Sequence, residues 1–240
     1  MRAAMTGLLT LTICAVSQCA GAEVKELVAK LRDADSDVRR AAAKGLAELG
    51  AEAKPAVPDL VKATADRDLF VRRFAAEALG NVGPDAKAAV APLARLLGDE
   101  KPEVQLAAVE ALPKLGPASV AALTAAVKDP NRAAAVRKKA AQGLAAIGPE
   151  ARKAVPALTD VLTGRIASPK APRKGKNLED DDVRLDAAAA LGAVAKPEDK
   201  AAVAALKSVS EGKQRNRALQ KAARESLRKI SEQSKKKGDD

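Results

Sequence analysis

Six stretches of this chain set an apolar residue, an alanine, a leucine and a second aliphatic residue at offsets of zero, four, eight and eleven. They begin at Val38, Val71, Val104, Val136, Val183 and Leu219; offset four is Ala42, Ala75, Ala108, Ala140, Ala187 and Ala223. Offset eight is Leu46, Leu79, Leu112, Leu144, Leu191 and Leu227, and offset eleven is Leu49, Val82, Leu115, Ile147, Val194 and Ile230. Those offsets fall on one side of a 3.6-residue helix, so the pattern predicts six amphipathic helices with the buried side specified. Offset seven is always small (Gly45, Ala78, Ala111, Gly143, Ala190, Ser226), which invites close approach by a neighbouring helix.

A shorter Val-x-x-Leu motif precedes each copy, at Val24/Leu27, Val57/Leu60, Val90/Leu93, Val120/Leu123, Val155/Leu158 and Val203/Leu206. The unit is therefore a helix pair. Gly50, Gly83, Gly116 and Gly148 follow second helices, where a left-handed cap is easiest without a Cβ. Pro55, Pro58, Pro92, Pro117 and Pro156 are expected in the first turn of the next helix, whose N–H groups lack partners anyway. Starts 33, 33, 32, 47 and 36 residues apart put the period in the solenoid range.

One such pair cannot cover its own apolar side, and stacked neighbours supply the missing surface. Stacking explains how a chain whose only aromatic residues are Phe70 and Phe74 can build a core. Offset five is alanine or valine in five copies and Arg224 in the sixth, as a solvent-facing terminal unit requires.

The phrases DSDVRRAAAKGLAELG (35–50), DLFVRRFAAEALGNVG (68–83) and AAAVRKKAAQGLAAIG (133–148) resemble the short bacterial HEAT-like repeats of the phycobilisome-lyase-like type. The resemblance spans about residues 24 to 230 and implies an all-α fold, a right-handed α-α superhelical solenoid of about six helical hairpins. It further implies a ladder between repeats built from an Asp before the second helix and an Arg within it. The matching residues are Asp33/Arg39, Asp66/Arg72 and Asp129/Arg137; Asp99 faces Gln105, and Arg184 lacks an Asp at the matching spacing. These are read as structural residues. Second helices line the concave face in such stacks, which makes Arg40, Phe70, Arg73, Phe74 and Lys138 binding candidates. Two placements stand open for the phenylalanines, burial against the adjacent repeat or an exposed anchor ringed by arginine.

Residues 1–22 read separately. Arg2, an apolar stretch around Leu8 to Val16 and the small residues Ala20-Gly21-Ala22 predict a cleaved secretory signal, hence an exported, periplasmic or extracellular protein. The solenoid is expected over 23–232 and a charged tail over 233–240. Cleavage removes Cys14, Cys19, Met1 and Met5, leaving a chain with no Cys, Met, His, Trp or Tyr. That composition excludes disulfides, removes the usual zinc, haem and iron–sulfur ligands, and precludes Ser-His or Cys-His catalytic pairs. No cofactor and no catalytic residue is expected. The dense carboxylates Glu179-Asp180-Asp181-Asp182 are read as a helix N-terminus, with Asp181 or Asp182 capping a helix that starts at Val183.

Charge is concentrated late in the chain. Five basic residues (Arg165, Lys170, Arg173, Lys174, Lys176) and no acid fall within 165–178, and residues 213–230 carry a net +6, while the rest of the signal-less chain sums to −1. The first region lies in a surplus between Val155 and Val183, which are 28 residues apart where the first three copies have 14. It reads as an exposed basic loop, aimed at an acidic protein, an anionic envelope polymer or a membrane surface. On the second helices Glu48, Glu77 and Glu110 interrupt the basic track that a nucleic-acid duplex requires, and aromatic platforms are scarce. The expectation is a monomeric, non-catalytic scaffold of the cell envelope that binds a protein partner. The alternatives are a phycobilin-lyase-like chromophore-handling protein, which rests on the resemblance, and a nucleic-acid-binding HEAT-like protein.

Overall fold

The computed structural model describes residues 21–166, 178–212 and 216–236, and among them every regular element is helical. Within these described residues twelve α-helices form six successive pairs: α1 (21–30) with α2 (Ser36–Glu48), α3 (Val57–Ala63) with α4 (Leu69–Val82), α5 (Val90–Leu96) with α6 (Pro102–Ala111). They continue with α7 (Val120–Lys128) and α8 (Ala134–Ile147), α9 (Val155–Leu162) and α10 (Leu178–Val194), α11 (Lys200–Glu211) and α12 (Arg217–Lys236). Second helices stack on second helices in the order α2, α4, α6, α8, α10, α12, and first helices α5, α7, α9, α11 form a parallel row. The molecule is an α-solenoid.

Local chemistry sets the helix limits. Asp68 caps α4 by accepting from the backbone N–H groups of Phe70 and Val71 at 2.9 and 3.1 Å, and Asp35 caps α2 by accepting from Asp37 N–H at 2.8 Å. Gly83, Gly116 and Gly148 turn the chain at φ of 76°, 76° and 73° with ψ of −144°, −155° and −142°, a conformation that glycine alone adopts readily but that lies outside the expected left-handed helical cap. Short 3-10 segments connect one pair to the next (Gly50–Ala56, Gly83–Ala89, Gly148–Ala154), and Leu112–Ser119 encloses the turn at Gly116. Side chains three apart eclipse in a 3-10 helix, so Ala53/Ala56, Ala86/Ala89 and Ala151/Ala154 make small ridges that are wholly buried. Pro58 and Pro156 occupy the first turn of α3 and α9 as expected, whereas Pro55 and Pro117 sit in these connectors.

The stripe is the core. Val71, Ala75 and Leu79 are fully buried, and so are Leu46, Leu112, Leu144 and Leu191 at the same offset as Leu79. Full burial of each such leucine is worth about 1.5 to 3 kcal/mol. Small residues admit the neighbouring helix closely: a Cβ on Gly80 would stand 2.8 Å from Ala111 Cα, and one on Gly192 would stand 2.8 Å from Ser226 Cα. Thus offset nine of one repeat meets offset seven of the next, a pairing that also brings Pro113 against Gly143. In the sixth pair Arg224 is exposed and Leu227 is only half-buried.

Two boundaries differ from the sequence reading. Helix α10 begins at Leu178, so Asp181 and Asp182 lie inside it and cap nothing; they pair with Arg184 and Lys138 at 3.4 and 2.9 Å. Helix α12 runs to Lys236, four residues beyond the expected end of the solenoid.

Candidate interaction surface

Two rungs of an ion ladder run along the turns that join first to second helices. Arg39 on α2 offers Nε and Nη2 to Asp66 at 2.8 and 3.0 Å, while its Nη1 donates to the Asp33 and Ala34 carbonyls of its own turn. Arg72 on α4 repeats this, with a fork on Asp99 at 2.8 and 2.9 Å and Nη1 on the Asp66 and Arg67 carbonyls. Each arginine therefore takes its carboxylate from the following repeat, 27 residues on, and only carbonyls from its own. The aspartates also accept a backbone N–H two residues later (Asp68, Lys101), which fixes the turn. Burial raises the carboxyl pKa of Asp66 and Asp99, but the arginine forks and those N–H groups outweigh it and hold both below the ordinary value.

The third rung is reversed. Gln105 occupies the arginine position and turns onto the Asp99 carbonyl of its own repeat. Arg132, from the turn of the next repeat, instead reaches back to donate from Nη1 to the Leu97 carbonyl. Its Nε lies 3.3 Å from Asp129 Oδ2 but is buried without a hydrogen bond. Asp129 holds the same turn position as Asp66 and Asp99, accepting from Asn131 N–H at 3.0 Å. Further along, Arg137 is buried and donates to the Val127 and Ile166 carbonyls, and Arg184 donates to the Leu162 carbonyl. Sequence reading missed Arg132, whose signal is its position 27 residues after Gln105, where the earlier rungs carry aspartate.

Where the ladder reverses, a groove of about 1230 Å³ opens between α6 and α8. Leu97, Pro102, Leu106 and Ala135 give it an apolar lining, and Arg132, Lys138, Lys139, Asp129 and Asp182 give it charge. Lys139 reaches Glu110 at 2.8 Å across the groove, and Lys138 reaches Asp182 at 2.9 Å. Behind Lys138, Gln142 donates to Asp186 Oδ1 at 3.2 Å while Asp186 Oδ2 is buried with no hydrogen-bond partner among the described residues. Desolvation holds the Asp186 carboxyl above its ordinary pKa, against the pull of Gln142 and Lys138.

The phenylalanines lie on α4, the second helix that packs on the other side of α6. Phe70 is 39 % exposed, the one large hydrophobic residue so exposed among the described residues, and Phe74 is half-buried against the core. The structure thus divides the pair between the two expected placements. Arg40 stacks over Phe70 and Arg73 over Phe74, each 5.1 Å from the ring centre. Arg40 is also held by Asp37 and by both oxygens of Asp68, and with the backbone N–H groups this lowers the Asp68 pKa to about 2. Arg73, by contrast, makes no ion pair among the described residues. Phe70, Arg73, Phe74 and Lys138 therefore share the second-helix row.

Of the basic-loop candidates, Arg165 is exposed and sits 3.4 Å from Asp160. Lys170, Arg173, Lys174 and Lys176 lie outside the described residues, as do residues 1–20 of the expected signal.

A family model for HEAT repeats matches residues 24–112 and again 90–168, more than half of the chain. This chain is a HEAT-repeat protein. The HEAT-repeat solenoid also superposes on solved structures. An engineered protein is 28% identical over 87% of this chain and 96% of that one, with a TM-score of 0.59. The archaeal HEAT-like repeats protein from Thermococcus onnurineus NA1 is 13% identical over 87% of each chain, with a TM-score of 0.56. A structure from work on a phosphorylation switch in the cadherin–β-catenin interaction is 18% identical over 88% of this chain and 45% of that one, with a TM-score of 0.51. The last two likenesses concern the fold. A comparison with curated proteins finds no match.

Proposed function

We propose that this HEAT-repeat protein is a non-catalytic scaffold of the cell envelope that holds a protein partner along its second helices, the concave face of such stacks. One observation carries the reading: the chain's two aromatic residues are spent on that face, one of them exposed, although every repeat builds its core from Leu, Val and Ala. The equivalent positions in the other repeats are small or charged, such as Asp37 and Ala41 or Glu103 and Ala107, so the stack itself does not call for phenyl rings there. Aromatic and arginine side chains dominate the energetics of protein interfaces. The cadherin–β-catenin neighbour comes from a study of a protein–protein interaction, which accords with a binding role for the fold.

A photo-crosslinker at position 70 tests the proposal, with one at the exposed Arg95 of first helix α5 as control. In cells carrying the full-length chain, a discrete protein adduct from position 70, absent from position 95 and lost in the Arg73→Ala background, is expected. Equal adducts from both faces, or none, would overturn it. Export through the residue 1–22 signal belongs to the same proposal; fractionation that leaves the full-length chain unprocessed in the cytoplasm would remove the envelope from it.

A further inference from the structure

Helix α12 carries seven basic and two acidic residues, and four of the basic ones form a single ridge. Arg217, Lys221, Arg224 and Arg228 stand at i, i+4, i+7 and i+11, one side of a helix, and all four are exposed. The ridge lies opposite the buried stripe of Leu219, Ala223, Ser226 and Ile230 and runs about 16 Å along the axis. Packing does not ask for it. Offset nine, a small residue or proline in the five preceding pairs and the place where Gly80, Pro113 and Gly192 meet the next second helix, is Arg228 here. Nor does the chain neutralise it. Arg217 makes no ion pair among the described residues, and Arg224 gives one nitrogen to the Ser210 carbonyl at 3.2 Å. Lys221 and Arg228 stand 3.9 and 3.5 Å from Glu225 and Glu232 without a hydrogen bond, their side chains 79 % and 72 % exposed. Such solvent-screened pairs contribute little, while like charges three and four apart on one helix repel; an external anion relieves that repulsion.

We infer that this ridge is a docking surface for an anionic phospholipid bilayer, which it meets by charge without inserting the helix. Charge complementarity selects the class, since lipid phosphates on a plane answer a straight row of cations. The apolar side of α12 is already spent on α10 and α11, so the helix has none to insert. A second feature selects lipid over other polyanions. Beside Arg228, between α11 and α12, a groove of about 420 Å³ is lined by Pro197, Val203, Leu227 and Ile230, with Lys207 in its wall. Glycerol and acyl carbons lie directly behind a lipid phosphate, whereas a phosphodiester backbone has no such apolar neighbour, and the aromatic platform that a nucleic-acid single strand uses is missing from this pair. The surface is separate from the Phe70 row and gives the scaffold an anchorage rather than a second protein partner.

Co-sedimentation of the full-length chain with vesicles tests the inference, comparing phosphatidylcholine alone with phosphatidylcholine carrying about one-third phosphatidylglycerol, at about 0.1 M salt. Binding to the anionic vesicles should exceed binding to the neutral ones at least about tenfold, and about 0.5 M salt should remove the difference. The triple variant Arg217→Gln, Lys221→Gln, Arg228→Gln changes only exposed side chains that make no hydrogen bond among the described residues, and should weaken binding to the anionic vesicles by at least about tenfold. A second triple variant, Lys87→Gln, Arg95→Gln, Lys128→Gln, removes the same charge from exposed positions far from α12 and should bind like the parent. Equal binding to the two vesicle types, a ridge variant that binds like the parent, or equal losses in the two variants would each overturn the surface. So would a DNA duplex of about 20 base pairs held more tightly than the anionic vesicles at the same salt, which would make the ligand a nucleic acid. Failure here leaves the position-70 adduct, and with it the scaffold reading, untouched.

Discussion

At Arg72 a single side chain closes four hydrogen bonds, two to a carboxylate of the next repeat and two to carbonyls of its own turn, and it is nearly buried. Its replacement by alanine leaves Asp99 charged, enclosed and without its fork. We expect a loss of about 2 to 3 kcal/mol, read by urea denaturation. Asp68 responds to pH instead. Its folded pKa of about 2 lies below the ordinary 3.8, so its stabilising contribution is full above 3.8 and vanishes as pH falls through 2. Acid titration of the circular dichroism should therefore show a loss over about pH 4 to 2 that shrinks in Asp68→Asn. Asp186 has the opposite sign. Burial raises its folded pKa, so its charge costs stability at neutral pH and the cost disappears on protonation. Asp186→Asn should raise the melting temperature by about 1 to 3 °C at about pH 7, with the gain fading toward about pH 3.

Helices meet most tightly where a small residue at offset nine receives a small residue at offset seven of the next repeat. Gly80→Ala would push a methyl to 2.8 Å from the Ala111 backbone, which cannot swing aside as a side chain can. We expect about 1 to 3 kcal/mol of destabilisation, whereas an alanine in the middle of a helix ordinarily stabilises relative to glycine. Helix pairing was plain in the sequence, since offsets zero, four and eight are set by burial alone, and burial is what an apolar stripe records. The 3-10 connectors were not, because the small residues that pack them, as at Ala86 and Ala89, look the same in a loop. The start of α10 was also hidden. Four consecutive acidic residues resemble a cap, yet Asp181 pairs with Arg184 one turn on and Asp182 with Lys138 of the preceding repeat, a partner that only the stack supplies.

Across the molecule the same distinction separates what could be read from what could not. The Asp/Arg repetition announced a ladder, but the direction of each rung appears only when Arg39 is seen gripping Asp66, and the reversal at Arg132 depends on which of two turns lies nearer its guanidinium. Of the surface, the sequence offered Phe70 and Phe74 as a pair, and three-dimensional packing alone decides that one is exposed and the other half-covered. Phe70→Ala should accordingly leave the melting temperature within about 2 °C of the parent while abolishing the partner adduct formed by a photo-crosslinker placed at position 73. The forward reach of the first two rungs also bears on how such a chain can lengthen. A duplicated stretch such as 57–89, 33 residues long, would bring one ladder arginine (Arg72) and one ladder aspartate (Asp66) with it, so the newcomer could be gripped by the unit before it and grip the one after. Growth in whole multiples of that length is self-splicing at the level of structure; any other increment strands a charge.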